Sequence, residues 1–275
     1  MYSGTTLTPA SGRILGAHQK FDRVARRHLG LLLGEDNDAF PKIREILRFE
    51  GRNGPDAIKR KSPAQNEPWH YVNPFDDDDG DLHVIIQDHY DDLVKALKKR
   101  DSTKAAFEAA WLAHAIVDGL TPAHHYPYEK ELQKLRCDEG LETRDTIMRK
   151  LILPGAKPSQ QVKNNWKMWG PKGLMSTHGM FELGVATIVA PLKLKRAFPD
   201  TKTLQECQKY GIVDIFHQTS KEIAAMDLYA RYYKTGWTPR LARCIRRNLA
   251  PLIIQVITLA WYCAALEAQM NRGKQ

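Results

Sequence analysis

The dominant pattern along this chain is apolar residues recurring three and four positions apart. It runs through Ile14 to Leu33, Ala39 to Arg48, Asp81 to Leu97, Lys104 to Val117, Met180 to Ala197, Gln205 to Tyr233 and Pro239 to Met270. Such spacing lines one face of a helix with apolar side chains. No stretch of real length alternates apolar and polar residues as a half-buried strand does, and no repeat period is visible. The pattern predicts an all-α fold, a single multi-helix domain over residues 1–275. Two stretches break it. Gly51 to Gly80 is rich in Gly, Pro, Asn and Asp, as a long ordered loop is. Tyr126 to Gly173 mixes short helical pieces with Pro127, Pro154, Pro158 and Pro171, and reads as an insert at 126–173.

The most apolar run, Leu249 to Leu266, has nearly the length of a membrane span. Pro251, Gln255 and Thr258 interrupt it, and Arg246, Arg247 and Glu267 flank it. It reads as a buried C-terminal helix, so the chain is not expected to be transmembrane, although peripheral membrane contact stays open.

Composition adds a bias toward anionic partners. The 275 residues are 43% apolar and 27% charged, an ordinary globular balance able to bury a sizeable core. Net charge is +9 and the pI about 9.3, which favours nucleic acid, anionic lipid or a phosphorylated substrate. No motif calls for a stable protein partner. Cys137, Cys207, Cys244 and Cys263 form no Cys-x-x-Cys pair, so a thiolate zinc site has no support. They read as reduced thiols of a cytosolic protein. The first ten residues lack the basic and apolar regions of a signal peptide. That also suits the cytoplasm, with export left for a chain whose leader has been removed.

The chemistry concentrates in Trp111-Leu-Ala-His114-Ala-Ile-Val-Asp118-Gly-Leu-Thr-Pro122-Ala-His124-His125. His114 and Asp118 are four apart and share a helix face that Ala113, Ile116 and Val117 make apolar. A buried carboxylate beside a buried imidazole is unfavourable unless each has a partner, and a metal ion partners both. Pro122 ends the helix, and His124 follows at once. His178 and Glu182 repeat the four-residue spacing at the start of another apolar helix. Two such pairs facing each other in a bundle build a dimetal site. Nitrogen and oxygen ligands without sulfur suit zinc.

The pattern His114-x-x-x-Asp118-x-x-x-Pro122-x-His124, then His178-x-x-x-Glu182, resembles the zinc-dependent phospholipase C superfamily, which also contains the single-strand-specific zinc nucleases. Gly-Pro-Asp56-Ala-Ile-Lys-Arg followed by Pro68-Trp69-His70-Tyr71-Val72 resembles motifs of the nuclease branch, and Leu15-Gly-Ala-His18 resembles its N-terminal Leu-Gly-His. Leu259-Ala-Trp-Tyr-Cys-Ala-Ala-Leu-Glu-Ala resembles the family's last core helix. The resemblance spans about residues 12 to 270, interrupted by the insert.

What the resemblance implies is a helix bundle with long loops around a polynuclear zinc site. Asp56, His70, His114 and Asp118 would hold the first ion, and His124, His178 and Glu182 the second. His18 and a bridging Asp118 would hold a third. Family enzymes complete that third site with the amino group and carbonyl of an N-terminal Trp. Here the first Trp is Trp69 and His18 lies well inside the chain. Three readings follow: trimming near Gly12 or Arg13, completion by another group, or a weak or absent third ion.

The activity implied is phosphoric-ester hydrolysis by metal-activated water. Asp56 would orient or deprotonate that water, and Lys59 and Arg60 would clamp a phosphate oxygen. The substrate stays open. Glu182, in place of Asp, resembles the phospholipase branch; Tyr71 stands where the nucleases place a ring near the base. Ala57 and Glu67 occupy positions where choline-specific members carry aromatics, so a choline cage is not expected. The remaining alternative is a non-catalytic protein with structural zinc.

Overall fold

A computed structural model describes residues 1–2, 16–59, 70–76, 79–137 and 139–270. Every regular element among them is helical, so the fold is an all-α multi-helix bundle. The long helices are α1 (Ala17–Leu33), α4 (Asp81–Lys99), α5 (Ser102–Gly119), α9 (Leu174–Val189), α11 (Ile212–Ala225) and α14 (Ala250–Met270). Short helices join them: α2 (Ile43–Ile46), α3 (Pro55–Lys59), α6 (Tyr128–Leu135), α7 (Ile147–Leu151), α8 (Pro158–Trp169), α10 (Thr201–Tyr210), α12 (Leu228–Thr235) and α13 (Pro239–Cys244).

α5 and α14 are apolar on nearly every side, as helices at the centre of a bundle must be. α14 packs against α1, α4, α5 and α11, and α5 lies along α4. Trp261 of α14 is fully buried and donates its Nε1–H to the Ala109 carbonyl of α5 at 3.0 Å. The run Pro239–Gln269 is long and apolar enough to cross a membrane by length and composition, and 72% of its most apolar window is buried inside the bundle. Pro251 does not interrupt it. A π-helical turn, Ile245–Leu249, links α13 to α14 and takes up the clash a proline makes with the carbonyl four residues back.

Several periodic runs break where backbone chemistry demands it. Gln205 to Tyr233 divides into α10, α11 and α12, at Gly211 (φ +88°) and Asp227 (φ +53°), both in the left-handed region. Ala39 to Arg48 yields only α2 and a 3₁₀ turn, Leu47–Phe49.

α5 ends where the site begins. The side chain of Asp101 caps its start by accepting from the Lys104 amide at 3.0 Å. At its end a Cβ on Gly119 would meet Leu82 Cδ2 and Phe216 Cζ at 2.5 Å, so only glycine lets α4 and α11 close on that turn. The insert has a small core of its own, made by Tyr128, Leu132, Leu153 and Met168, with Tyr71 packed against it. Cys207 and Cys263 are buried, with their sulfurs 3.1 Å apart.

Candidate metal centre

Most of the histidines and carboxylates that spacing and the resemblance single out come together from five places in the chain. α5 carries His114 and Asp118 in its last turns. The Thr121 hydroxyl donates to the Val117 carbonyl at 2.7 Å, the Thr121 amide to the Asp118 carbonyl at 2.9 Å, and the His124 amide to the Thr121 carbonyl at 2.8 Å. This tight turn, with Pro122 opening a 3₁₀ segment, Pro122–His125, swings His124 back beside Asp118. α9 supplies His178 and Glu182, α3 supplies Asp56, and the first turn of α1 supplies His18.

Three groups of potential ligand atoms converge: Asp56, His114 and Asp118; His124, His178 and Glu182; and His18, Glu50 and His114. In the first, His114 Nε2 lies 3.3 Å from Asp118 Oδ2 and 3.7 Å from Asp56 Oδ1. In the second, His124 Nε2 and His178 Nε2 lie 2.9 and 3.0 Å from Glu182 Oε1, with the two rings stacked. Asp118 joins the groups, since its other oxygen, Oδ1, is 3.3 Å from His18 Nε2.

His70 is not in any of these groups. Its ring sits 5.1 Å from that of His124 and 4.3 Å from that of Tyr71, and its carbonyl accepts from His124 Nδ1 at 2.9 Å. The expected first set is thus represented by Asp56, His114 and Asp118, with His70 beside the second set. Lys59 lies three residues after Asp56 in α3. The Lys59 side chain, Arg60, Glu67 and Trp69 lie outside the described residues. The half-buried Tyr71 ring stacks on Tyr128 at 5.4 Å and lies 5.2 Å from His124, so protein rings pack around it.

Met1 docks against these groups. Its amino group is bonded to Asp118 Oδ1 and lies 3.3 Å from Glu182 Oε1, and its carbonyl accepts from His18 Nε2 at 2.7 Å. The Ala17 amide holds the Tyr2 carbonyl at 2.8 Å. Burial opposes the charge on the Met1 amino group, but Asp118, Glu182 and Asp56 outweigh it and raise its pKa.

Glu50 is the member that no sequence pattern indicated. It is 4% exposed, and its Oε1 accepts from His114 Nδ1 at 2.9 Å and lies 3.6 Å from His18 Nδ1. One carboxylate therefore sits beside two imidazoles: it holds the Nδ1–H of His114, whose Nε2 faces Asp118, while His18 donates its Nε2–H to the Met1 carbonyl. Asp22, buried on α1, is pushed well above the ordinary carboxylate range by burial and by Glu50.

The donor set fits a cation. Burial lowers the His124 pKa to about 4 despite Asp118, so its ring is neutral at pH 7. Its Nδ1–H is committed to the His70 carbonyl, so its Nε2 turns a lone pair toward the Glu182 carboxylate. Two electron-rich atoms 2.9 Å apart repel unless something positive lies between them. His114 Nε2 is buried without a hydrogen bond. Burial disfavours a charged His114, yet Glu50 and Asp118 prevail and raise its pKa to about 10. Glu182 is held well below the carboxylate range, burial notwithstanding, by the Met1 amino group and His178. The site as a whole concentrates negative charge and imidazole lone pairs in a buried pocket, the usual setting of zinc.

Comparison with family models, with curated proteins and with solved structures gives no match for this chain.

Proposed function

We propose that this protein is a zinc-dependent phosphoric-ester hydrolase that cleaves phosphodiesters in the manner of a phospholipase C. The observation that carries the reading is the placement of Asp118, whose two oxygens face separate histidines, 3.3 Å from His114 and 3.3 Å from His18. A carboxylate shared in this way is what a polynuclear centre needs, and a lone structural ion does not need it.

Zinc held there would neutralise phosphoryl charge and lower the pKa of water at an open position. The protein's part is positioning. Glu50 holds the Nδ1–H of His114, as an outer carboxylate does for a metal-binding histidine. Asp56 is the most exposed carboxylate of the cluster, at 21%, against 1% for Asp118. It is therefore the acid best placed to meet solvent and substrate and to take a proton from an attacking water.

Lipid phosphodiesters are favoured over single-stranded nucleic acid because Tyr71 is packed among Tyr128, His70 and His124 and so makes a poor stacking platform for a base. The test is a substrate panel: phospholipid, single-stranded DNA and a nucleotide monoester, each with zinc-loaded protein, chelated protein and the Asp56→Asn variant. Chelator-sensitive release of a phosphorylated headgroup, strongly reduced in D56N, supports the reading. Cleavage of DNA alone replaces it with a nuclease, and no turnover of any ester overturns it.

A further inference from the structure

The insert bears an outward apolar surface with basic residues around it. α8 shows this most clearly. Asn164 and Met168, four apart, are buried. Val162 and Trp166 are 70% and 68% exposed, and lie about 200° round the helix from Asn164 and Met168. Trp169, 40% exposed, continues the same stripe. An ordinary surface helix buries its apolar stripe and exposes its polar one; α8 turns Val and Trp outward and keeps an Asn inside.

α7 and the residue after it extend the patch. Ile147, Met148, Leu151 and Ile152 are all exposed. The Trp169 Nε1–H donates to the Leu151 carbonyl at 2.7 Å and ties the two helices together. Ile152, Val162, Trp166 and Trp169 line one open cleft of about 670 Å³. Ile152 and Met148 line the next, so the apolar surface is continuous. Single exposed apolar residues are normal, but seven large ones gathered on two short helices mark an interaction site.

Charge identifies the occupant. From Thr146 to Phe181 the sequence has six basic residues and no acidic one; Lys150 is buried and Arg149 pairs with Asp145, which leaves Lys157, Lys163, Lys167 and Lys172 exposed. Lys163 and Lys167 each follow a residue of the apolar stripe and are exposed. Tryptophans with aliphatic neighbours and flanking lysines match the interface of an anionic bilayer, where indoles sit at headgroup depth and lysines meet lipid phosphates. Single-stranded nucleic acid would use the tryptophans and lysines but has no use for Ile147, Leu151, Ile152 and Val162, since aliphatic side chains give bases nothing to stack on.

We infer that the outer face of α7 and α8 is a docking surface for anionic lipid bilayers. Its inner face reaches the metal centre. Met168 packs with Tyr128, whose ring is 5.7 Å from that of His178. A bilayer seated on the insert would therefore be linked to the second ligand group through α8 and the Met168 and Tyr128 side chains. That link to catalysis rests on the phosphoric-ester reading; the docking surface itself rests on its own composition.

The experiment is sedimentation of the full-length protein with vesicles of phosphatidylcholine alone and of phosphatidylcholine with phosphatidylserine. The variants are Val162→Ser/Trp166→Ser and Lys163→Glu/Lys167→Glu, with far-ultraviolet circular dichroism as the check on folding. Binding is read without turnover, so its failure and the failure of hydrolysis are seen separately. The expected result is binding to the anionic vesicles, reduced about tenfold or more by either double variant, equivalent to at least one decade in Kd. Trp fluorescence should shift to the blue on binding, and the shift should shrink in W166S. No binding to anionic vesicles overturns the proposal, as does binding that neither variant weakens. Binding of single-stranded DNA in place of vesicles, lost in the same variants, reassigns the surface to nucleic acid. Concentration-dependent dimerisation abolished by V162S/W166S, with no vesicle binding, reassigns it to a second copy of the chain.

Discussion

Glu50 Oε1 accepts a hydrogen bond from His114 Nδ1 at 2.9 Å across 64 residues of sequence, and the same oxygen lies 3.6 Å from His18 Nδ1. An acceptor at Nδ1 fixes the proton there and leaves Nε2 free for a cation. Replacing Glu50 with Ala should weaken zinc binding by about 10- to 100-fold, the usual effect of losing such an outer partner. Glu50→Gln should cost less, because its carbonyl still accepts from one imidazole. Competition titration with a zinc indicator reads both. Equal affinity in wild type and E50A would mean that Glu50 merely fills space.

The contact of Met1 with Asp118, Glu182 and His18 gives a prediction about the start of the chain. A protein carrying extra residues ahead of Met1 has no terminal amine at that place. It should bind one metal ion fewer than the chain beginning at Met1, with the His124, His178 and Glu182 group still loaded. Elemental analysis of the two proteins side by side decides it. Equal stoichiometry would remove Met1 from the site.

Protonation of His114 sets a pH dependence. Its folded pKa is raised from an ordinary 6.5 to about 10. A group raised in this way stabilises the metal-free fold fully below pH 6.5, and that contribution is lost as pH rises through about 10. Metal must displace the same proton. Thermal scans of chelated protein should therefore show Tm falling over that window, while zinc affinity rises over it. Loading zinc in weakly buffered solution at pH 7 should release protons, visible with an indicator dye. A proton count of zero would contradict the charged state of His114.

Gly119 tests how the bundle positions the site. A Cβ there meets two fully buried side chains, Leu82 and Phe216, at 2.5 Å. Gly119→Ala should destabilise the protein by about 1–3 kcal/mol, as overpacking of a core does. Because Asp118 is the preceding residue, the variant should also bind zinc less tightly. Chemical denaturation with and without zinc measures both effects. Unchanged stability would show that α4 and α11 yield more readily than the packing implies.

The sequence made the helical class and the convergence of most candidate residues legible for a local reason. His114 and Asp118, like His178 and Glu182, lie four apart on one helix, and that spacing is visible in the chain itself. Asp118 was expected as a bridge, and its two oxygens do face different histidines. Glu50 was not legible, since it precedes Gly51 outside any long helix and meets its histidines only through tertiary packing. The position of Met1 was not legible either, because no local pattern says where a chain end will dock. His70, expected with His114, has its ring 5.1 Å from that of His124. The breaks at Gly211 and Asp227 are not legible in the sequence because apolar periodicity continues through them, while the backbone there turns left-handed.

The central claim is that these residues hold a cluster of zinc ions. Its most direct test is elemental analysis of the protein purified without added metal, beside the His114→Ala variant, with zinc then returned to both. The account predicts two or three zinc ions per chain in the wild type and fewer in H114A. No stoichiometric metal in the wild type, even after zinc is returned, would make the histidine–carboxylate groups a buried hydrogen-bond network and contradict the account.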